Sequence, residues 1–185
     1  MIPQTVDPIV AVPHAPPQFV PEKDIPQNLL PRVLTLFQQG SSDVSASPPC
    51  HCHLEFEGLS VEEPDATVDL DALWFVDYDP SNVASTQPVF SQKLEGVFND
   101  DTKTTRTLNT FAFDAPSLGI VSGGLHVVEV VVGEDVGFDS ASTILPHRAM
   151  KQGYTSANYK FVVDLHLEQI SGSCPSTPPS KRVCQ

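Results

Sequence analysis

The chain is poor in basic residues, in methionine and in long apolar runs, and it has one tryptophan in 185 residues. Ten Lys and Arg stand against 23 Asp and Glu, a formal net charge of -13. Such a balance repels a phosphate backbone, and nowhere do Lys and Arg gather with aromatics into a binding stripe, so nucleic acid is excluded as a partner. Anionic membrane surfaces attract polybasic segments, and there is none here. No window approaches the roughly 18 to 20 apolar residues that span a bilayer. "HVVEVVV" is too short and is interrupted by Glu129. Membrane attachment is expected only through a lipid anchor that this chain does not carry.

Catalytic signatures are missing as well. Ser122 to Gly124, "SGG", lacks the Gly-x-Ser-x-Gly pattern of a nucleophile elbow. No Gly-rich loop is built to cradle phosphate. The chain is expected not to be an enzyme and to need no cofactor. The N-terminal "MIPQTVDPIVAVPHAPP" has no basic n-region, and prolines break its apolar residues, unlike a secretory signal. The expectation is that a signal was removed ahead of Met1 or that none was present.

What is present is proline, 18 residues against 10 glycines, crowded toward the two ends. Residues 1–31 read as an extended leader, because each proline removes a backbone donor and biases its predecessor away from helix. Its apolar residues Ile9, Val10, Val12, Phe19, Val20 and Ile25 imply that it lies along its own domain or a partner. Residues 32–170 form the expected domain, and residues 171–185 a Pro/Ser-rich tail carrying cysteines. A chain of this length supports one domain with a sizeable core.

Within the domain, period-two patterns recur. "RVLTLFQQ" reads as a strand. In the segment that opens at Cys50, Cys52, Leu54 and Phe56 share one face while His51, His53, Glu55 and Glu57 share the other. "DALWFVDYD" places Ala72, Trp74, Val76 and Tyr78 together, and Pro80 ends it. "PVFSQKLEGVF" and "TRTLNTFAFDA" flank the turn-rich "NDDTKT". "GLHVVEVVVGED" is almost wholly β-branched, which predicts a central strand buried on both faces. "NYKFVVDLHLEQI" alternates, with Tyr159, Phe161, Val163, Leu165 and Leu167 inward. Helix signals are scarce: "SASTILPHRAMKQGY" leaves room for one turn, cut by Pro146. About seven short strands without intervening amphipathic helices predict an all-β antiparallel sandwich.

The acidic turn and tryptophan strand "PDATVDLDALWFVDYD", followed by "SGGLHVVEVVVGED" and a last alternating strand, carry a resemblance. Over residues 50–170 the chain resembles the immunoglobulin-like β-sandwiches of bacterial surface proteins, including polycystic-kidney-disease-type and cadherin-like repeats. It is also similar to the proline-led lipoproteins of gliding soil bacteria, the myxobacteria. The resemblance implies packing roles: Trp74 and Tyr78 in the core, Gly124 letting the chain enter its strand, and His126 within that strand. It implies no catalysis.

Four cysteines, Cys50, Cys52, Cys174 and Cys184, carry the remaining chemistry. Neither the Cys-x-Cys spacing of the first pair nor the nine residues between the second makes a zinc knuckle. On a regular strand His51 and His53 point away from Cys50 and Cys52. An even cysteine count in a Pro-, Ser- and Thr-rich chain suits an oxidising compartment, periplasm or cell surface. Three connectivities exist on paper. Opposite directions of the second and last strands bring the 50/52 pair near the tail, favouring bridges from it to Cys174 and Cys184. The rival closes Cys174 to Cys184 and leaves 50 and 52 as a strained pair.

A metal site remains the alternative, zinc or copper at His51 and His53, or calcium among carboxylates such as Asp69 and Asp71. It would make the chain a small metal-dependent enzyme or a metal-binding protein. The leading expectation is a non-catalytic extracytoplasmic module, a lipoprotein or subunit of a cell-surface assembly, that binds a protein through its leader or edge strands.

Overall fold

A computed structural model describes residues 15–20, 33–38, 52–100, 102–167 and 182–184. Among them there is no α-helix, and hence none long and apolar enough to cross a membrane. Eleven strands run in chain order: β1 (Gln18–Phe19), β2 (Val33–Gln38), β3 (Cys52–Phe56), β4 (Ser60–Glu62), β5 (Leu70–Val76), β6 (Phe90–Leu94), β7 (Thr105–Thr107), β8 (Phe111–Phe113), β9 (Gly124–Glu134), β10 (Ser156–Leu167) and β11 (Arg182–Cys184). They form a five-stranded sheet of order β2-β10-β9-β5-β6 and two three-stranded sheets, β1-β4-β7 and β11-β3-β8. The small sheets share their chain segments. β3 leads into β4 and β7 into β8, and the amide of Leu108 donates to the carbonyl of Leu59 (2.8 Å) where both segments break. Together they make one bent layer facing the five-stranded sheet.

The strand sequences dictate which faces meet. On β9, His126, Val128, Val130 and Val132 point inward, and on β10 Tyr159, Phe161, Val163 and Leu165 do so. β3 sends Leu54 and Phe56 inward while His53 and Glu55 stay part-exposed, as alternation requires. Between the layers Trp74, fully buried, lies 5.8 Å from Phe56 and 4.8 Å from Phe111 by ring centroids. Phe56 in turn stacks 4.7 Å from Phe161. Tilted and offset rings at these separations add to the apolar burial.

Three sequence expectations need correction. The sandwich is not wholly antiparallel, because β2 pairs parallel to β10, Val33 opposite Val162 through Gln38 opposite Leu167. In the leader, Gln18 and Phe19 pair with Glu62 and Val61, and Phe19 packs 5.5 Å from Tyr159. In the tail, β11 pairs with β3. Tyr78 does not share the inner face with Ala72 and Trp74. Asp77 adopts a left-handed φ of 49°, which breaks the alternation and sends Tyr78 to the outer face, 5.2 Å from the Phe75 ring. Finally, β9 is buried on both faces only in its second half, and Leu125 and Val127 are exposed.

The segment 135–155 makes that division. In place of a helical turn it is a loop folded back over the outer face, held by a bridge between Phe138 and Met150 and by Lys151 N donating to Gly137 O (2.8 Å). Gly137 is required there, since a Cβ would stand 2.8 Å from the Tyr154 ring and 2.9 Å from the end of Met150. Gly124 stands at the entry to β9 with φ 132°, a region that L side chains avoid.

Because Trp74 joins both layers, Trp74→Ala should lower the unfolding free energy by about 3 to 5 kcal/mol, as large aromatic truncations in cores do. Urea denaturation monitored by circular dichroism measures this. A loss below about 1 kcal/mol would contradict the inter-layer role.

Candidate functional site

The outer face of the five-stranded sheet is half covered and half bare. The boundary is built around Glu129, which points outward from β9 yet is 2 % exposed. Arg148, carried by the covering loop, donates from Nη2 to Glu129 Oε1 (2.6 Å) while its guanidinium lies 4.5 Å above the Tyr78 ring. The Tyr78 hydroxyl donates to the carbonyl of Pro146 (2.9 Å), tying the loop to the end of β5. Burial raises the Tyr78 phenol above its ordinary range. Lys160 on β10 approaches the same carboxylate at 3.4 Å from the exposed side.

Beyond this boundary, among the described residues, the outward face carries exposed apolar residues on β2 and β9 about a half-buried Val162, with the polar Thr35 and Asp164 on the next rung. Val162 of β10 stands directly between Val33 of β2 and Val127 of β9, so three valines form one rung across adjacent strands. Val33 is 52 % exposed and Val127 39 %, and Leu125, two positions along β9, is 70 % exposed. Val121, on the turn that leads into β9, is exposed beside them in sequence.

Next to this rung the start of β9 is clamped. Asp77 Oδ1 accepts the amide of Val127 (2.8 Å), and its Oδ2 lies 2.6 Å from His126 Nδ1. His126 Nε2 lies 3.2 Å from the main-chain carbonyl of Ser122. Both ring nitrogens face acceptors, the Asp77 carboxylate on one side and the Ser122 carbonyl on the other. His126 therefore holds the 114–123 turn against β5 and β9, and its Nε2 is directed at a backbone carbonyl and not at the Ser122 hydroxyl. A shallow cleft of about 240 Å³ opens beside the clamp, its wall of Val76, Val89, Leu118 and Ile120 rimmed by Asp77 and Gln87. The Gln87 amide donates to His147 Nε2 (2.9 Å).

Charge gathers at the opposite end of β9. Lys93 on β6 bonds Asp69 (2.8 Å) and Asp135 (3.1 Å), which holds the Lys93 ammonium above its usual range. The Lys93 bond and the Gly96 amide hold Asp69 below the carboxylate range. Desolvation, then the neighbouring Asp135, push Asp71 up. Arg106 is buried and donates to the carbonyls of Ala66, Val68 and Leu94, closing the turn that precedes β5. Beside it Glu63 is buried, its Oε2 without a hydrogen-bond partner among the described residues, and burial, reinforced by Glu134, raises its carboxyl above the ordinary value.

The expected metal residues do not converge. His53 faces Glu55 (3.3 Å) on β3, while Asp69 and Asp71 belong to the Lys93 cluster at the start of β5. Among the described residues no group of three or more His, Cys, Asp or Glu could hold a metal ion. His51, Cys50 and Cys174 lie outside the described residues. Cys52 and Cys184 are register partners on β3 and β11. The bare rung went unread in the sequence, although "HVVEVVV" offered its signal, since apolar residues at consecutive positions must point to both faces. The chain matches no protein-family model, no curated protein and no solved structure.

The Glu63 carboxyl supplies a pH test with a definite sign. Its folded-state value lies above the ordinary one, so the folded protein favours the proton. Stability is lost as pH rises from the ordinary glutamate range, about 4.3, through that raised value. Glu63→Gln should therefore gain stability relative to the parent between pH 4 and pH 7. Urea midpoints at the two pH values measure it, and an unchanged difference would show that Glu63 ionises without penalty.

Proposed function

We propose that this chain is a non-catalytic, extracytoplasmic protein-binding module built on an immunoglobulin-like sandwich. The observation that carries the binding role is the bare rung Val33–Val162–Val127 with Leu125. It is an apolar surface on a sheet face whose other half is covered by the chain's own loop. Contiguous exposed apolar residues with a charged border mark interaction sites in soluble proteins.

The immunoglobulin-like reading is supported by strand order. β6-β5-β9-β10 corresponds to C′-C-F-G of that plan, and the pairing of β3 and β4 with β8 and β7 corresponds to B with E. Trp74 then occupies strand C, where such domains bury a tryptophan, and Phe56 on the B-like strand packs against it where antibody domains place their disulfide.

An oxidising location is supported by the register of Cys52 opposite Cys184. Directly opposed residues in antiparallel strands have Cα atoms about 4.5 to 5.5 Å apart, within the range that a disulfide spans. Non-reducing peptide mapping should link residue 52 to 184, leaving 50 for 174, and a bridge closing so long a loop should stabilise the fold by roughly 2 to 5 kcal/mol. Four free thiols would remove the support for an extracytoplasmic setting.

The binding role is tested by carbene footprinting of the full chain at sub-micromolar concentration. Leu125 should be heavily labelled and Val127 labelled well above the fully buried Val130. Labelling as low as that of Val130 would show that the face is already occupied by the chain itself and would overturn the role.

A further inference from the structure

The partner of the bare face can be read from the order of side chains along β10. Its outward residues are Asn158, Lys160, Val162, Asp164 and His166, since Tyr159, Phe161, Val163 and Leu165 are the inward ones. Val162 sits at the centre of the valine rung. Two positions before it is a cation, Lys160, whose side chain is 54 % exposed. Two positions after it is an anion, Asp164, 36 % exposed and 3.1 Å from His166. The strand therefore reads cation, valine, anion about a central apolar residue, an order that is complementary to itself when reversed.

We propose that the bare face binds a second copy of this chain, sheet face against sheet face, around a two-fold axis that runs along the rung Val33–Val162–Val127. This rests on the reading of that face as a binding surface. An axis in the interface plane and perpendicular to the strands keeps β10 over β10 of the second copy and reverses its direction. Val162 then meets Val162, and Val127 and Val33 meet their own counterparts, which places three valines from each chain along the axis. Such an isologous contact needs one self-complementary patch, as closed dimers use.

The same operation sets Lys160 of each chain over Asp164 of the other, two opposite-charge pairs flanking the apolar line. It also settles the shape. The covering loop 135–155 is tied to Glu129 on the Lys160 side of the rung, so reversal sets the loop-covered part of one face beside the barer part of the other. Leu125, on the rung of Asp164, comes to the edge of the second copy's loop.

The test is sedimentation equilibrium of the full chain over roughly 1 to 200 µM, with far-UV circular dichroism and melting to confirm that each variant is folded. The parent should show a monomer–dimer equilibrium. Val162→Glu should weaken it at least tenfold. Lys160→Glu and Asp164→Lys should each weaken it several-fold, and the double variant Lys160→Glu/Asp164→Lys should recover to within about threefold of the parent, because reversal regenerates both pairs across the axis.

A parent that stays monomeric throughout overturns the proposal. Footprinting then separates the cases: Leu125 and Val127 still labelled leaves a binding face for a different partner, and their protection in the monomer removes the binding reading too. A dimer insensitive to Val162→Glu, or a charge-swapped double variant no better than its parents, places the contact elsewhere and equally overturns it.

Discussion

The structure depends on one aromatic contact, the packing of Trp74 between Phe56 and Phe111. With no α-helix among the described residues, the two layers are held at a fixed separation by side chains long enough to cross between them. Trp74 comes from the five-stranded sheet, Phe56 and Phe111 from the bent layer, and Phe161 closes the group from β10. Because all are pinned by neighbouring strands, the rings fix the relative position of β3, β5, β8 and β10 at once. Among the described residues the Trp74 indole N–H has no hydrogen-bond partner, a cost of about 1 to 3 kcal/mol that the burial of so large a ring offsets.

The second constraint is the Glu129–Arg148 pair, which decides where the outer face is closed. An outward carboxylate at 2 % exposure is tolerable only with a charge opposite it, and Arg148 also stacks over Tyr78. Removing one partner of such a pair leaves an uncompensated buried charge, a loss of about 3 to 5 kcal/mol. Along β9 the loop's bonded contact nearest the strand's start is Glu129, and it is tied further to the end of β5 through Tyr78 and to Gln87 through His147. Apolar residues continue past Glu129, which is why the same strand has a core-like half and a bare half.

Much of this fold was legible from alternation alone. The inward sets of β3 and β10 follow from period two, whereas the run of β-branched residues on β9 hides its alternation. What was not legible arises where tertiary geometry overrides a local pattern. Tyr78 belongs to the inner face by counting, yet the left-handed Asp77 turns the chain so that its carboxylate can receive the Val127 amide. Arg106 reads as an exposed charge in a polar turn, while the carbonyls it gathers come from residues 66, 68 and 94, a convergence no local window contains. The parallel pairing of β2 is equally non-local, since a strand's neighbour is chosen by which edge the chain reaches. The register of Cys52 against Cys184 confines the pairing argument to backbone positions that the sequence could place only near one pole.

The edges of the sheets bear on how such a chain meets a partner. An exposed strand edge is an open template, and soluble proteins blunt theirs with proline, lysine and short strands. β1 is two residues long and follows Pro16 and Pro17, neither of which has an N–H to offer an incoming strand. β6, at the far side of the large sheet, carries Lys93 on its outward face, engaged by Asp69 and Asp135. β7 and β8 are three residues each and are separated by the break at Leu108. These edges are short, interrupted or charged and offer little to strand addition, whereas β2, six residues long, is the other edge of the large sheet. The leader strand β1 is paired to β4, and β6 is engaged by charge. Beside β2 lies the partly exposed face of β9 and β10, and a face selects its partner by shape and by the order of its side chains, which along β10 is an order that fits its own reverse.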